Sequence, residues 1–116
     1  MKGPRSEKMR LLDMRDAAER ILHEYDKLGD EQLPDDDLRY FGLVRLLGIV
    51  GEAAYQLSRD LKAAHPEVPW RPITAMRHII VHEYDDVDSE RVWDVIKNYL
   101  PALLKQLQPI IDSLPE

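Results

Sequence analysis

Residues 38–61 read LRYFGLVRLLGIVGEAAYQLSRDL, and this stretch decides the fold. Phe41, Leu43, Val44, Leu46, Leu47, Ile49, Val50, Ala53, Ala54 and Leu57 leave little of a helix circumference polar. That pattern predicts one long central helix from Leu38 to Leu61, buried by several neighbours. Gly42, Gly48 and Gly51 each cost about 1 kcal/mol relative to Ala in a helix interior. Close approach of another backbone, in the same chain or across subunits, accounts for them better than propensity does.

On the N-terminal side, Leu11, Met14, Ala18, Ile21, Leu22, Tyr25 and Leu28 recur at helical spacing, and Gly29-Asp30 supplies a stop. A first amphipathic helix therefore precedes the central one. Pro34 and the aspartates Asp35, Asp36 and Asp37 favour a loop and put negative charge where the next helix dipole rewards it, so the second helix is expected to begin near Asp36. On the C-terminal side, His65-Pro66 and Pro69-Trp70-Arg71-Pro72 punctuate the chain, and a shorter third helix is expected from about Arg71 to His82. The segment Asp85-Asp86-Val87-Asp88 ends that pattern. Asp88 is placed to cap a fourth helix carrying Val92, Trp93, Val95, Ile96, Tyr99 and Leu100. Pro101 should kink or break it, and Leu103, Leu104, Leu107, Ile110, Ile111 and Leu114 continue at a changed angle. No stretch alternates in the manner of a strand. The expectation is an all-α helical bundle of four main helices, the last kinked near Pro101. It forms one domain over residues 1–116, with 1–8 as a flexible tail.

Composition narrows the function classes. The chain has 116 residues and is 44% hydrophobic, enough for one core. No run of about 18 apolar residues occurs and no apolar signal core follows Met1, so neither export nor membrane insertion is expected. The absence of cysteine removes disulfides, thiolate metal sites and cysteine nucleophiles, and makes the reducing cytoplasm the default compartment. Sixteen Lys and Arg against 22 Asp and Glu give a formal charge of -6, the opposite of a general nucleic-acid binder's basic footprint. Any contact with a polyanion must therefore be local, a pocket screened from the rest of the surface over roughly 8 Å at physiological salt.

The densest reactive cluster is Met76-Arg77-His78-Ile79-Ile80-Val81-His82-Glu83-Tyr84. At about 100° per residue, Arg77 lies roughly 20° from Tyr84 and His78 roughly 40° from His82, so four polar groups share neighbouring rows of one helix. An imidazole can take a proton from a ribose 2′-hydroxyl, and a guanidinium can stabilise charge developing on phosphoryl oxygens. That pair suffices for RNA cleavage without metal. Two other readings stay open on spacing alone. The groups can be an ordinary solvated face, or His78 and His82 at i, i+4 can hold a metal ion, although no third ligand is evident and Ile79 stands where a zinc protease helix has Glu. Glu52 can orient an arginine or form an interhelical salt bridge, and Arg71 can hold a phosphate or be solvated. Trp70 and Trp93 read as core or dimer anchors, and His23 and His65 as surface residues.

Arg77-x4-His82-x-Tyr84 resembles the R-x4-H-x-Y signature of HepT-type toxins in the HEPN superfamily. The likeness extends to Gly48-Ile49-Val50-Gly51-Glu52-Ala53-Ala54, to Val68-Pro69-Trp70-Arg71 followed by Met76-Arg77, and to Tyr84-Asp85-Asp86-Val87-Asp88 with Val92-Trp93. It covers about residues 9–110. One departure is His78, where many relatives carry Asn; it either assists or lines the cleft. The resemblance implies an antiparallel, dimerising bundle and a toxin-type endoribonuclease of a type VII-like toxin-antitoxin module. Arg77 and His82 would be the catalytic pair, with His78, Glu52 and Arg71 assisting or lining the cleft, and neither cofactor nor metal required. It also implies a partner, a minimal nucleotidyltransferase antitoxin that adenylylates Tyr84, in a hetero-oligomer with the homodimer. The alternative is a non-catalytic module that binds a nucleotide or a partner through the same cleft.

Overall fold

Helix α1 (Glu7–Leu28) is the element on which the others assemble. It packs against α2 (Leu38–Gln56), α5 (Ser89–Asn98) and α6 (Leu100–Ser113). The short helices α3 (Arg59–Ala64) and α4 (Trp70–Thr74) follow α2, and α4 leans on α2. The computed structural model describes residues 6–28, 33–34, 36–78 and 89–115, among which these six helices form and no strand does.

Contacts between helix ends set the directions. The Glu7 carboxylate, at the start of α1, accepts from Ser58 N (2.6 Å) and Ser58 Oγ (3.1 Å), just past the end of α2. Lys8 Nζ donates to the Leu114 carbonyl (3.2 Å), just past the end of α6. Both α2 and α6 thus run antiparallel to α1, as the resemblance implied. These bonds also correct the expected tail, because Glu7 and Lys8 belong to α1 and are anchored at both of its neighbours' ends.

One apolar core joins the helices: Leu11, Met14 and Ile21 of α1, Leu47 and Val50 of α2, Ile73 of α4, Ile96 of α5, and Leu103 and Leu107 of α6 are fully buried. Each such side chain contributes about 1.5–3 kcal/mol relative to exposure. Tyr40 and Trp93 are buried at the opposite end, with Trp93 between Tyr25 (6.1 Å between ring centroids) and Tyr40 (5.8 Å). Trp93 is a core anchor.

The helix boundaries sharpen or correct the expectation in four places. The helix expected to begin near Asp36 is capped by Asp37, whose Oδ1 accepts from Arg39 N (2.8 Å). The helix expected to reach Leu61 breaks at Leu57 and Ser58, both extended, because Ser58 Oγ caps a new helix through Leu61 N (3.1 Å) while Glu7 holds Ser58 N. The third helix is interrupted after Thr74. Met76 N bonds back to the Ile73 carbonyl and His78 N to that of Ala75, tight i to i+3 turns before helical geometry resumes at Arg77 and His78. Near Pro101 the helix is interrupted for one residue, Tyr99, as the proline led one to expect. Here α5 ends at Asn98 and Pro101 sits in the first turn of α6, where its missing N–H costs nothing. Asp88, the expected cap of α5, lies outside the described residues. Among the described residues no helix is long and apolar enough to cross a membrane.

Candidate functional site

Gly51 places the site. A Cβ built there would lie 2.5 Å from Arg77 N and 2.9 Å from Met76 Cβ, so the backbone at 76–77 presses directly on α2. This is the close approach the glycine pattern called for, and it occurs within the chain. Gly42 has no such neighbour. Met76, fully buried, seats the same turn in the core.

Held this close, Arg77 reaches across α2. Its Nε donates to Glu52 Oε2 (2.9 Å), and its guanidinium carbon stands 3.8 Å from the centroid of the Tyr55 ring. The two α2 residues are three apart and share a face, so one edge of the guanidinium is bonded and one plane is covered. The pair is half-exposed, with side-chain exposures of 28% for Arg77 and 52% for Glu52. A salt bridge so wet contributes at most about 1 kcal/mol, and its consequence is orientation rather than stability. Among the described residues the Nη groups keep donors for a ligand oxygen, in the planar fork that suits a phosphate.

Of the other expected site residues, Arg71 and His78 line a second feature, a shallow open groove of about 440 Å³ shared with Lys62, Trp70, Thr74 and Ala75. The Trp70 indole N–H donates to the His65 carbonyl (2.9 Å), and Gln106 of α6 donates to the Glu67 carbonyl (2.8 Å). The loop leading into α4 is thereby pinned, and Arg71 with it. Trp70 is half-buried: it packs against the core, as expected, and also forms a wall of the groove. His82 and Tyr84 lie outside the described residues. The structure therefore brings Glu52 to Arg77, and Arg71 to His78. Among the described residues no group of three or more His, Asp or Glu is arranged to hold a metal ion.

Two residues of the site carried no earlier notice. Tyr55 was detectable as the i+3 neighbour of Glu52 on one helix face. Lys62 was not, because the break at Ser58 re-aims α3 and the sequence pattern ran straight through it.

Residues 6–110 match the HepT-like family, described as Ribonuclease HepT-like. The chain belongs to this family. Two relatives give the scale of the likeness. "Probable ribonuclease HepT" of Thermococcus cleftensis is 35% identical over 99 residues, 85% of this chain and 90% of that protein. "Putative RNase TTE0752" of Caldanaerobacter subterraneus subsp. tengcongensis is 34% identical over 83 residues, 72% and 74% of the two chains. No solved structure matches the chain. The HepT-like assignment agrees with the all-helical fold, and the matched span includes every site residue named above.

Proposed function

We propose that this HepT-like chain is a ribonuclease that cuts RNA without metal, with Arg77 and His82 as its catalytic pair. The observation that carries the reading is the fixed guanidinium. Arg77 is oriented by Glu52 and Tyr55 with donors to spare, the arrangement needed to bind phosphoryl oxygens and stabilise their developing charge. Membership in the family and the names of the relatives support the same activity. In the reaction, the His82 imidazole takes the proton of the ribose 2′-hydroxyl, and the 2′-oxygen attacks the adjacent phosphorus. The bond to the 5′-oxygen breaks, and that oxygen takes up a proton. The products are a 2′,3′-cyclic phosphate and a free 5′-hydroxyl. His78, next to Arg77 in the chain, lines the groove.

Two further elements belong to this proposal. The chain acts as a homodimer whose two Arg77 and His82 segments share a cleft, which the exposed apolar face of α2 favours. It is the toxin of a type VII-like pair, silenced when a minimal nucleotidyltransferase adenylylates Tyr84. A nucleotide there adds negative charge beside the phosphate site and repels the substrate.

Cleavage of a defined single-stranded RNA by purified, partner-free protein in excess EDTA tests the core of this reading. Wild type should produce 2′,3′-cyclic phosphate ends, and Arg77→Ala and His82→Ala should each lose at least about a hundredfold in rate. No cleavage by wild type would overturn the reading in favour of a non-catalytic module that binds a nucleotide or a partner.

A further inference from the structure

The groove between α3 and α4 has a composition unlike the rest of the molecule. In a chain with 22 Asp and Glu against 16 Lys and Arg, its lining among the described residues includes Lys62, Arg71 and His78 and no acid. Its two permanent cations are placed differently. Lys62 Nζ donates to the Ala54 carbonyl near the end of α2 (3.1 Å), which anchors the ammonium and leaves its other donors available. Arg71 is exposed, and its guanidinium has no ion pair or hydrogen bond among the described residues. Trp70 and Thr74 add an aromatic surface and a hydroxyl.

The groove and the Arg77 cluster converge on one turn of α2. Glu52 and Tyr55 hold Arg77, while Ala54, between them, holds Lys62. His78, the next residue after Arg77, lines the groove. A strand with one phosphate on Arg77 therefore has a cationic, aromatic-walled groove on the same turn of α2 along which to continue.

We infer that this groove is an RNA subsite, in which Arg71 and Lys62 bind the phosphate next to the scissile one and Trp70 offers a face to its base. The inference rests on the ribonuclease reading and names how that enzyme grips its substrate. A guanidinium binds a phosphodiester through two parallel hydrogen bonds, and an ammonium adds a point charge. Stacking on an indole tolerates any base, so the subsite holds RNA without specifying sequence. It also explains how a chain of charge -6 binds a polyanion, through a local patch whose described lining is cationic.

The test separates binding from cutting. The probe is a single-stranded RNA ten nucleotides long with 2′-O-methyl groups throughout, which removes the nucleophile. Binding is followed by fluorescence anisotropy of a labelled strand and by the protein's own tryptophan emission; Trp93 is buried, so quenching by a stacked base comes from Trp70. Arg71→Glu should weaken binding at least about tenfold and lower the salt dependence by about 0.7 in log-log slope, the contribution of one phosphate contact on a single strand. Arg71→Lys should fall between, and the melting temperature should not move. Quenching should vanish in Trp70→Phe.

Equal binding by wild type and Arg71→Glu would overturn the subsite. So would quenching that persists in Trp70→Phe, or equal competition by polyglutamate, which would mark a general anion patch. Unmodified RNA supplies the other arm. If wild type cleaves it and Arg71→Glu leaves KM unchanged, the subsite falls and the ribonuclease reading stands. If RNA binding depends on Arg71 but nothing is cut, the ribonuclease reading falls and the RNA site stands.

Discussion

At the scale of single residues, the site depends on a missing side chain. A Cβ at Gly51 would stand 2.5 Å from the backbone nitrogen of Arg77, and backbone cannot yield as a flexible side chain can. Gly51→Ala should therefore destabilise the fold by about 1–3 kcal/mol and push the Arg77 turn off α2. Thermal denaturation reads the first effect and RNA cleavage the second; an unchanged melting temperature would mean that the contact is looser than the geometry indicates. Glu52 acts at the same scale but through orientation. Removing the carboxylate frees a guanidinium that is already half-exposed, so Glu52→Ala should leave the melting temperature nearly unchanged and slow single-turnover cleavage by roughly 10- to 100-fold. Glu52→Gln, which keeps an acceptor oxygen, should recover part of that loss. Arg77 and Glu52 were both legible in the sequence, one from its spacing to His82 and the other as the acid of a packed helix. That Glu52 can orient an arginine was legible too; which arginine was not, because the contact spans 25 residues and depends on how closely two backbones approach.

At the scale of elements, hydrophobic periodicity located the helices but not their ends. Leu57 and Leu61 continue the apolar rhythm of α2, yet the chain turns extended at Leu57 and Ser58. What decides the break is a distant carboxylate: Glu7 accepts both the amide and the hydroxyl of Ser58, and no local pattern reveals that partner. Ser58→Ala removes the α3 cap and one Glu7 contact together. It should cost about 1–2 kcal/mol in chemical denaturation, and it should loosen the α3 segment that carries Lys62. Wild-type stability in this variant would show that the break is imposed by packing alone. The start of α2 was more legible, because aspartates before an apolar run mark a cap. There the Arg39 guanidinium, hydrogen-bonded to Asp37, holds that carboxyl below its ordinary value. A lowered carboxyl contributes above its unfolded pKa and loses that contribution as pH falls through the folded one. The α2 cap is therefore kept at neutral pH and given up only in acid below the ordinary carboxylate range.

At the scale of the whole molecule, the sequence predicted α2 as buried on most sides, and the single chain leaves part of it bare. Leu38 is 83% exposed, Phe41 52% and Tyr55 50%. At about 100° per residue, Leu38, Phe41, Arg45, Ile49 and Glu52 fall within a band roughly 80° wide, so these positions form one stripe along the helix. The excess of apolar residues that made 38–61 look central is satisfied on one side by α1 and α4 and lacks a neighbour on the other among the described residues. A second copy packed on this stripe would cover it by two-fold symmetry, with the same residues on both sides, and would bring two Glu52–Arg77 pairs toward one cleft. Phe41→Glu, or Leu38→Glu, tests that arrangement without touching the core, since both side chains are already in solvent within one chain. Sedimentation should then show a dimer for wild type and a monomer for the variant, the melting curve of the monomer should remain cooperative, and RNA cleavage should fall although Arg77 and His82 are intact. A variant that stays dimeric would move the interface elsewhere. A monomer with full cleavage would mean that each chain carries a complete site, and that the exposed stripe serves a different partner from the one RNA chemistry requires.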